Sequence, residues 1–336
     1  MSSEAGRTDG PEGRGQRAGY SRWLSSDAPS AAIEIAARRV TVVGLAKAGD
    51  GPAVQGWASE PLPEGAVVPS LNALNVQDAA TVTSAVRRAI EAAGIKGRRA
   101  GLVIPDLAAK VTLVPFEKVP ERRQDLAGLI SWQVRKAAPF RIEDAQMSFI
   151  EGARHGDAGR TFVVTLARKD VVRQYEDVCA AAGAHTGIVD LASFNVINAA
   201  LAPGAAPASD WLLVNTTPES QTLAIMRGET LMFFRNRPIE GDETLPDLVH
   251  QTAMYYEDRL QGAGFERVVL AGGAAWSGEA VRRGLSERLH APVTSLEPRQ
   301  VAQFTGRGLD GLQPAAADAL LAPLGLLLRE RGSAGL

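Results

Sequence analysis

Apolar residues along the chain alternate between a period of two and a period near four. Ile33-Glu34-Ile35, a short Ala36-Ala37-Arg38-Arg39 break and Val40-Thr41-Val42-Val43 predict two strands with a tight connection. Glycine and proline dominate the segment through Pro69, interrupted by Trp57, which predicts loop with short strands. From Asp78 the period turns helical. Asp78 can cap, Val82, Val86 and Ile90 recur every fourth residue, and Gly94 can terminate the helix. Gly101-Leu102-Val103-Ile104 then predicts a strand ending at Pro105-Asp106, and Val111 to Val114 another. A helix follows over about Glu121 to Ala137, with Leu126, Leu129, Ile130 and Val134 apolar and Pro139 helping to stop it. Met147 to Ile150 and Thr161 to Leu166 read as paired strands, and Asp170 opens a helix carrying Val171, Val172, Tyr175 and Val178 toward Gly183.

A further helix holds Phe194, Val196 and Ile197, after which Leu201 to Ser209, rich in alanine and proline, reads as a joint. Beyond it, Trp211 to Val214, Thr222 to Met226 and Leu231 to Arg235 predict a three-strand meander. Helical spacing resumes at Leu245, Leu248, Tyr255, Tyr256 and Leu260. Val268 to Ala271 is a predicted strand followed by Gly272-Gly273, then a helix with Val281, Leu285 and Leu289 and a last helix built on the C-terminal leucines. Each half thus begins with a strand meander and continues into alternating helices and strands, a pattern of α/β domains. Its repetition suggests a duplicated architecture around a cleft. The expected division is a disordered tail over 1–23, a first lobe over 24–200 and a second over 208–332, with the C-terminal helix able to return to the first.

Composition narrows the function classes. The chain has 336 residues, 45% of them hydrophobic, enough for one large or two modest cores. Lys plus Arg total 36 and Asp plus Glu 38, a formal charge of -2, which argues against a surface dedicated to nucleic acid. Cys179 is the single cysteine, so no internal disulfide and no all-cysteine zinc site can form within one chain. His155, His185, His250 and His290 lack metal-ligand spacing. The Leu320 to Leu328 stretch is interrupted by Pro323 and is far shorter than a bilayer span. Glu4, Asp9 and Glu12 among Arg7, Arg14 and Arg17, with no apolar segment, do not form an export signal. A soluble, cytoplasmic α/β protein is the expectation.

Candidate chemistry is sparse. Gly272-Gly273, between a strand and a helix, suits close backbone approach by a ligand and equally an ordinary turn. There is no dinucleotide Gly-x-Gly-x-x-Gly, no phosphate loop and no nucleophile elbow. Glu143-Asp144 and Asp242-Glu243 are adjacent acids whose side chains diverge, which suits capping or solvation. His155 falls at a hairpin tip, and Cys179 on the apolar side of a helix reads as a small buried hydrophobe. Arg235, Asn236 and Arg237 end a strand, either solvated or facing an anion.

Four stretches, in this order, carry a resemblance: Ile104-Pro105-Asp106; Ala137-Ala138-Pro139-Phe140-Arg141-Ile142-Glu143-Asp144; Val189-Asp190-Leu191-Ala192-Ser193-Phe194 with Asn198-Ala199; and Val269-Leu270-Ala271-Gly272-Gly273. Together they resemble the PilM family, actin-like cytoplasmic components of type IV pilus assembly. Inner-membrane platform proteins of type II secretion share the same plan. The resemblance implies an α/β, actin-like (ribonuclease H-like) two-lobed ATPase fold. It implies a cytoplasmic protein, peripheral at the inner membrane through its partners, that binds the cytoplasmic tail of a PilN-like inner-membrane protein and other pilus assembly components. Neither nucleic acid nor a membrane span of its own is implied.

Nucleotide signatures of the family depart here. Where members carry Asp-x-Gly, small hydroxylated residues and Lys, this chain has Glu34-Ile35-Ala36-Ala37-Arg38-Arg39-Val40-Thr41. Where the second Asp-x-Gly belongs it has Asn215-Thr216-Thr217-Pro218, and Pro218 has no backbone donor. The expectation is therefore an interaction platform with no cofactor and no catalysis. The alternatives are an ATP-binding or ATP-hydrolysing protein using ATP with magnesium, and a type II secretion platform. In the nucleotide alternative, Glu34, Thr222, Gly272 and Gly273 would be the metal, phosphate and nucleoside contacts. If the first hairpin has abandoned phosphate, replacing Arg38 and Arg39 by alanine should change stability by no more than about 0.5 kcal/mol.

Overall fold

The computed structural model describes residues 29–48, 51–156, 159–202, 207–240, 244–272, 279–305 and 312–332. The expected tail over 1–23 lies outside them, as do Gly273 and the Asp242-Glu243 pair.

Two sheets repeat one winding. In the first, β1 (Ala31–Ile35), β2 (Arg39–Ala48) and β3 (Gly51–Pro61) form an antiparallel meander. On its other edge β1 pairs in parallel with β4 (Arg99–Ile104), and β4 with β8 (His185–Leu191). In the second, β9 (Asp210–Thr216), β10 (Ser220–Arg227) and β11 (Thr230–Pro238) are the meander, and β12 (Arg267–Ala271) and β13 (Val293–Ser295) the parallel strands. Each sheet therefore runs third, second, first, fourth, fifth strand. That duplicated order is the actin-like, ribonuclease H-like two-lobed α/β fold.

Period-two alternation shows why the sheets face each other. Trp211 and Leu213 of β9, and Ala224 and Met226 of β10, enter a core shared with Ala32 and Val103 of the first sheet. Their neighbours Leu212, Val214, Leu223 and Ile225 point the other way, under α5 (Leu245–Leu260) and α6 (Glu279–Leu289). The outer face of the first sheet is covered by α1 (Ala79–Ala92) and α3 (Lys169–Ala181) through Val82, Val86, Val171 and Tyr175. Asp78 caps α1 as its sequence requires, accepting from the Thr81 N–H at 3.0 Å.

Between β4 and α3 the chain inserts a separate layer. β5 (Ala109–Phe116), β7 (Gly159–Arg168) and β6 (Ala145–His155) form a three-stranded antiparallel sheet packed on α2 (Arg123–Val134). Its own core holds Val114, Leu126, Ile130, Phe162 and Val164.

The last segments close the first sheet. After α7 (Pro298–Val301), β14 (Gln303–Phe304) adds to β3 in parallel. Beyond α8 (Pro314–Asp318), α9 (Leu321–Gly332) lies against α4 (Ala192–Leu201) and β4. Pro323 is tolerated because it falls in the first turn of α9, where backbone N–H groups lack helical partners. Contact with α4 requires a bare backbone: a Cβ on Gly325 would sit 1.7 Å from the Asn195 carbonyl oxygen. Among the described residues no helix is long and apolar enough to cross a membrane.

Two expectations fail locally. The Gly- and Pro-rich segment before Pro69 is not mainly loop, because β3 runs unbroken over 11 residues. Its pairing with β2 absorbs an irregularity at Gly44/Leu45, and Gly56 lies close against the Ala93 carbonyl. His185–Leu191 is a strand the apolar pattern did not announce, because its sequence HTGIVDL has neither a clean alternation nor a long apolar run.

Candidate functional site: the seam between the lobes

The first turn of α4 and the end of β4 meet at Asp106. Immediately after β4, Pro105-Asp106 turns the chain, and Asp106 reaches the N-terminus of α4 across 87 residues of sequence. Leu191 at that helix start offers no side-chain cap. Asp106 supplies one instead: Ser193 donates to it through its backbone N–H at 3.0 Å and through its hydroxyl. A carboxylate is well matched to the free N–H groups and positive end of a helix.

The same carboxylate crosses to the second lobe. Thr222 of β10 donates its hydroxyl to Asp106 Oδ2 at 3.0 Å and accepts from Asn236 Nδ2 of β11 at 2.7 Å. Asn215, at the end of β9, donates to Ser193 Oγ at 2.9 Å. The result is one continuous chain of hydrogen bonds, Asn236 to Thr222 to Asp106, met from the other side by Asn215 to Ser193. Asp106 is 4% exposed, and burial pushes its carboxyl above the usual range while the Ser193 and Thr222 hydrogen bonds pull it back.

Glu34 of β1 adjoins this chain. It is 6% exposed; desolvation raises its pKa first, nearby Asp106 and Glu219 add to the rise, and Arg39 opposes it. Arg39 Nη2 stands 3.5 Å from Glu34 Oε2, an ion pair looser than a hydrogen bond. Glu34 Oε2, Arg39 Nε and Glu219 Oε1 are buried atoms without a hydrogen bond.

Above the seam two hairpins approach each other, one from each lobe. In the first, Ala36 N–H donates to the Arg39 carbonyl at 2.9 Å, and no residue from 36 to 39 has positive φ. Arg38 leaves this turn to meet Glu64 at 3.2 Å and, across the gap, Glu219 at 3.9 Å. In the second, Thr217 N–H donates to the Ser220 carbonyl at 2.8 Å. Thr217 Oγ1 accepts from the N–H groups of Glu219 at 3.3 Å and Ser220 at 3.0 Å.

The residues singled out from sequence thus converge in part. Glu34 and Thr222 both adjoin Asp106, and Gly272 follows β12 beside the end of β9. Gly272 has φ +69°, and a Cβ there would lie 2.1 Å from the Thr216 carbonyl oxygen. Asp106, Ser193 and Glu219 were not identified as a site from the sequence, although Asp106 was visible as the polar residue closing a strand. Asn236 was weighed as an anion contact and Asn215 as the start of the second phosphate stretch. Among the described residues no group of three or more His, Cys, Asp or Glu side chains is placed to hold a metal ion.

Other candidates resolve into ordinary structure. Cys179 is buried in the α3 core, its thiol pushed up to about 12 by burial. Exposed His155 ends β6 and contacts the Thr161 hydroxyl at 2.8 Å. Glu143 pairs with Arg135 at 2.9 Å on the surface, and Arg235 lies over the Phe233 ring.

A family model for the type IV pilus assembly protein PilM matches residues 32–259, well over half of the chain. The chain belongs to the PilM family. Among solved structures, a PilM–PilN type IV pilus biogenesis complex aligns with a TM-score of 0.73 at 20% identity, covering 90% of this chain and 98% of that chain. This PilM-family chain also aligns with a Bacteroides thetaiotaomicron VPI-5482 protein of actin-like ATPase fold and unknown function (TM-score 0.47, 10% identity, 82% and 93% covered). A third alignment is with the cytoplasmic domain of EpsL, an inner-membrane component of the type II secretion system of Vibrio cholerae (TM-score 0.45, 12% identity, 91% and 95% covered). No curated protein sequence matches the chain.

Proposed function

We propose that this PilM-family chain is a cytoplasmic platform in type IV pilus assembly. It binds the cytoplasmic tail of a PilN-like inner-membrane protein and is held peripherally at the inner membrane by that partner and other assembly components. It acts by binding rather than by catalysis. The carrying observation is the family match over residues 32–259, supported by alignment to nearly the whole of a chain from a PilM–PilN complex. We take the first lobe as 24–200 and the second as 208–332, with α9, and β14 ahead of it, returning to the first. The repeat of one strand order on either side of Leu201 to Ser209 supports that division.

Co-expression with the cytoplasmic tail of a PilN-like protein from the same genome, followed by size-exclusion chromatography, tests the reading. A stoichiometric complex is expected. Folded protein that elutes alone in the presence of excess tail peptide defeats it.

A further inference from the structure

An actin-like fold implies a nucleoside triphosphate with magnesium between the lobes, so the residues at that position can be tested for fit. Phosphates bind to such hairpins through backbone N–H groups presented in a concave nest, formed by right- and left-handed residues in succession or by a turn whose N–H groups are left free. Residues 36 to 39 have no left-handed member, and Ala36 N–H is already directed at Arg39 O. The second hairpin is closed more completely. Thr217 N–H, Glu219 N–H and Ser220 N–H are all bound inside the turn, and Pro218 has none to offer.

Side-chain charge gives the same answer. Glu34, Asp106 and Glu219 gather where the hairpins meet; burial first, and then the neighbouring acids Asp106 and Glu219, raise the pKa of Glu34. Arg39 is directed to Glu34, and Arg38 to Glu64 and Glu219. A triphosphate placed there would face three acidic groups, while the nearby cations, Arg38 and Arg39, are already paired with Glu64, Glu219 and Glu34. The Thr222 hydroxyl, a candidate phosphate contact, instead donates to Asp106. Gly272 is explained by its contact with the Thr216 carbonyl, without a nucleoside.

We infer that the nucleotide cleft of the actin-like fold has become a closed polar seam in this chain, holding the two lobes at one fixed separation without nucleotide. Two hydrogen bonds between lobes make the closure, Thr222 to Asp106 and Asn215 to Ser193, with the long Arg38 to Glu219 ion pair spanning the hairpins above them. Exchange of one bound nucleotide for another then cannot open and shut the molecule. Any change in lobe separation must come from a macromolecular partner. The inference does not depend on which partner that is.

The lone native cysteine is buried, so spin labels can be placed selectively on full-length protein at exposed Glu91→Cys in α1 and Glu257→Cys in α5. Pulsed electron resonance should give one narrow distance distribution, unchanged by millimolar Mg-ATP or Mg-ADP. Calorimetry should give no saturable heat with Mg-ATP. In Thr222→Val the distribution should broaden and lose its single peak, while Thr222→Ser, which keeps the hydroxyl, should retain it. Asp106→Ala should broaden it further. If that variant does not fold, Asn215→Ala carries the same readout through Ser193. Saturable Mg-ATP binding, a nucleotide-dependent shift in distance, or an unbroadened distribution in folded Thr222→Val would each overturn the inference.

Discussion

The two hairpins at equivalent positions in the two lobes are closed by opposite means. The first, at Ala36 to Arg39, keeps a plain backbone and extends charge outward, through Arg38 to Glu64 and Glu219 and through Arg39 to Glu34. The second, at Thr217 to Ser220, turns its backbone donors inward onto one threonine oxygen. Strand order alone does not distinguish them, since both join the first and second strands of their sheets. Fold duplication therefore preserves where a turn sits, whereas a few side chains decide whether it offers donors, charge or neither. The hairpins should differ accordingly in their response to mutation, salt and pH.

The largest effect should come from behind the second hairpin. Gly272 combines φ +69° with a would-be Cβ contact of 2.1 Å to the Thr216 carbonyl, which is backbone and cannot swing away. Gly272→Val adds left-handed strain for a β-branched residue to that clash, and should cost about 4 kcal/mol or more. Urea unfolding measures it. A loss below about 1 kcal/mol would show that β9 and β12 are not held as described.

Next is Arg39→Ala in the first hairpin. It strands Glu34, a carboxylate already raised above its ordinary value of 4.5 by burial. Because the folded-state pKa is raised, Glu34 is protonated in both states at low pH and contributes no penalty there. As pH climbs past 4.5 the unfolded chain releases its proton first, so stability falls until the folded pKa is passed. Without Arg39 that folded pKa rises further. The variant should match wild type near the acid edge and be about 2 kcal/mol less stable at neutral pH, and Glu34→Gln should largely rescue it. This revises the expectation that both arginines are dispensable. A pH-independent difference would mean that Arg39 contributes packing and not charge.

How much of this was legible follows from the distance over which each feature is determined. Helix α1 was readable because its cap, Asp78, and its apolar stripe, Val82 and Val86, lie within one local period. The β9 to β11 meander was readable for the same reason, through alternation. The seam was not, since Asp106 meets Thr222 across 116 residues and Ser193 across 87, and no periodic pattern records such pairs. That Ala36 and Thr41 stand in the first hairpin where the resemblance leads one to expect glycine and lysine was visible. What replaced them, a charge network in one lobe and a self-closed turn in the other, needed the third dimension. β3 was misjudged because glycine and proline signal loops locally, while pairing along β2 and β14 supplies the compensating contacts.

A smaller loss is expected from Thr217→Ala. It removes the acceptor for two turn N–H groups, only partly buried, so water can replace some of what is lost. A cost of about 1 kcal/mol is expected, with Thr217→Ser near neutral. Amide exchange should accelerate at Glu219 and Ser220 and stay unchanged at Ala36. Equal acceleration in both hairpins would erase the distinction between them.

The smallest effect belongs to Arg38→Ala, and its smallness is informative. The Arg38 side chain is 54% exposed and its nearer partner Glu64 is 81% exposed, so that pair is screened by water and by salt. The contact to Glu219 is more sheltered, with Glu219 26% exposed, but at 3.9 Å it is at the outer limit of an ion pair. Stability should change by no more than about 0.5 kcal/mol at moderate ionic strength. Arg38 and Arg39 are chain neighbours of identical chemistry, so the contrast between their two variants reports the burial of each ion pair, with Arg39 28% and Glu34 8% exposed. If Arg38→Ala proves as costly as Arg39→Ala, and raising salt does not reduce its cost, the first hairpin is anchored through Glu219 across the cleft. The division between an outward-charged and an inward-closed hairpin would then give way to a single clamp shared by both.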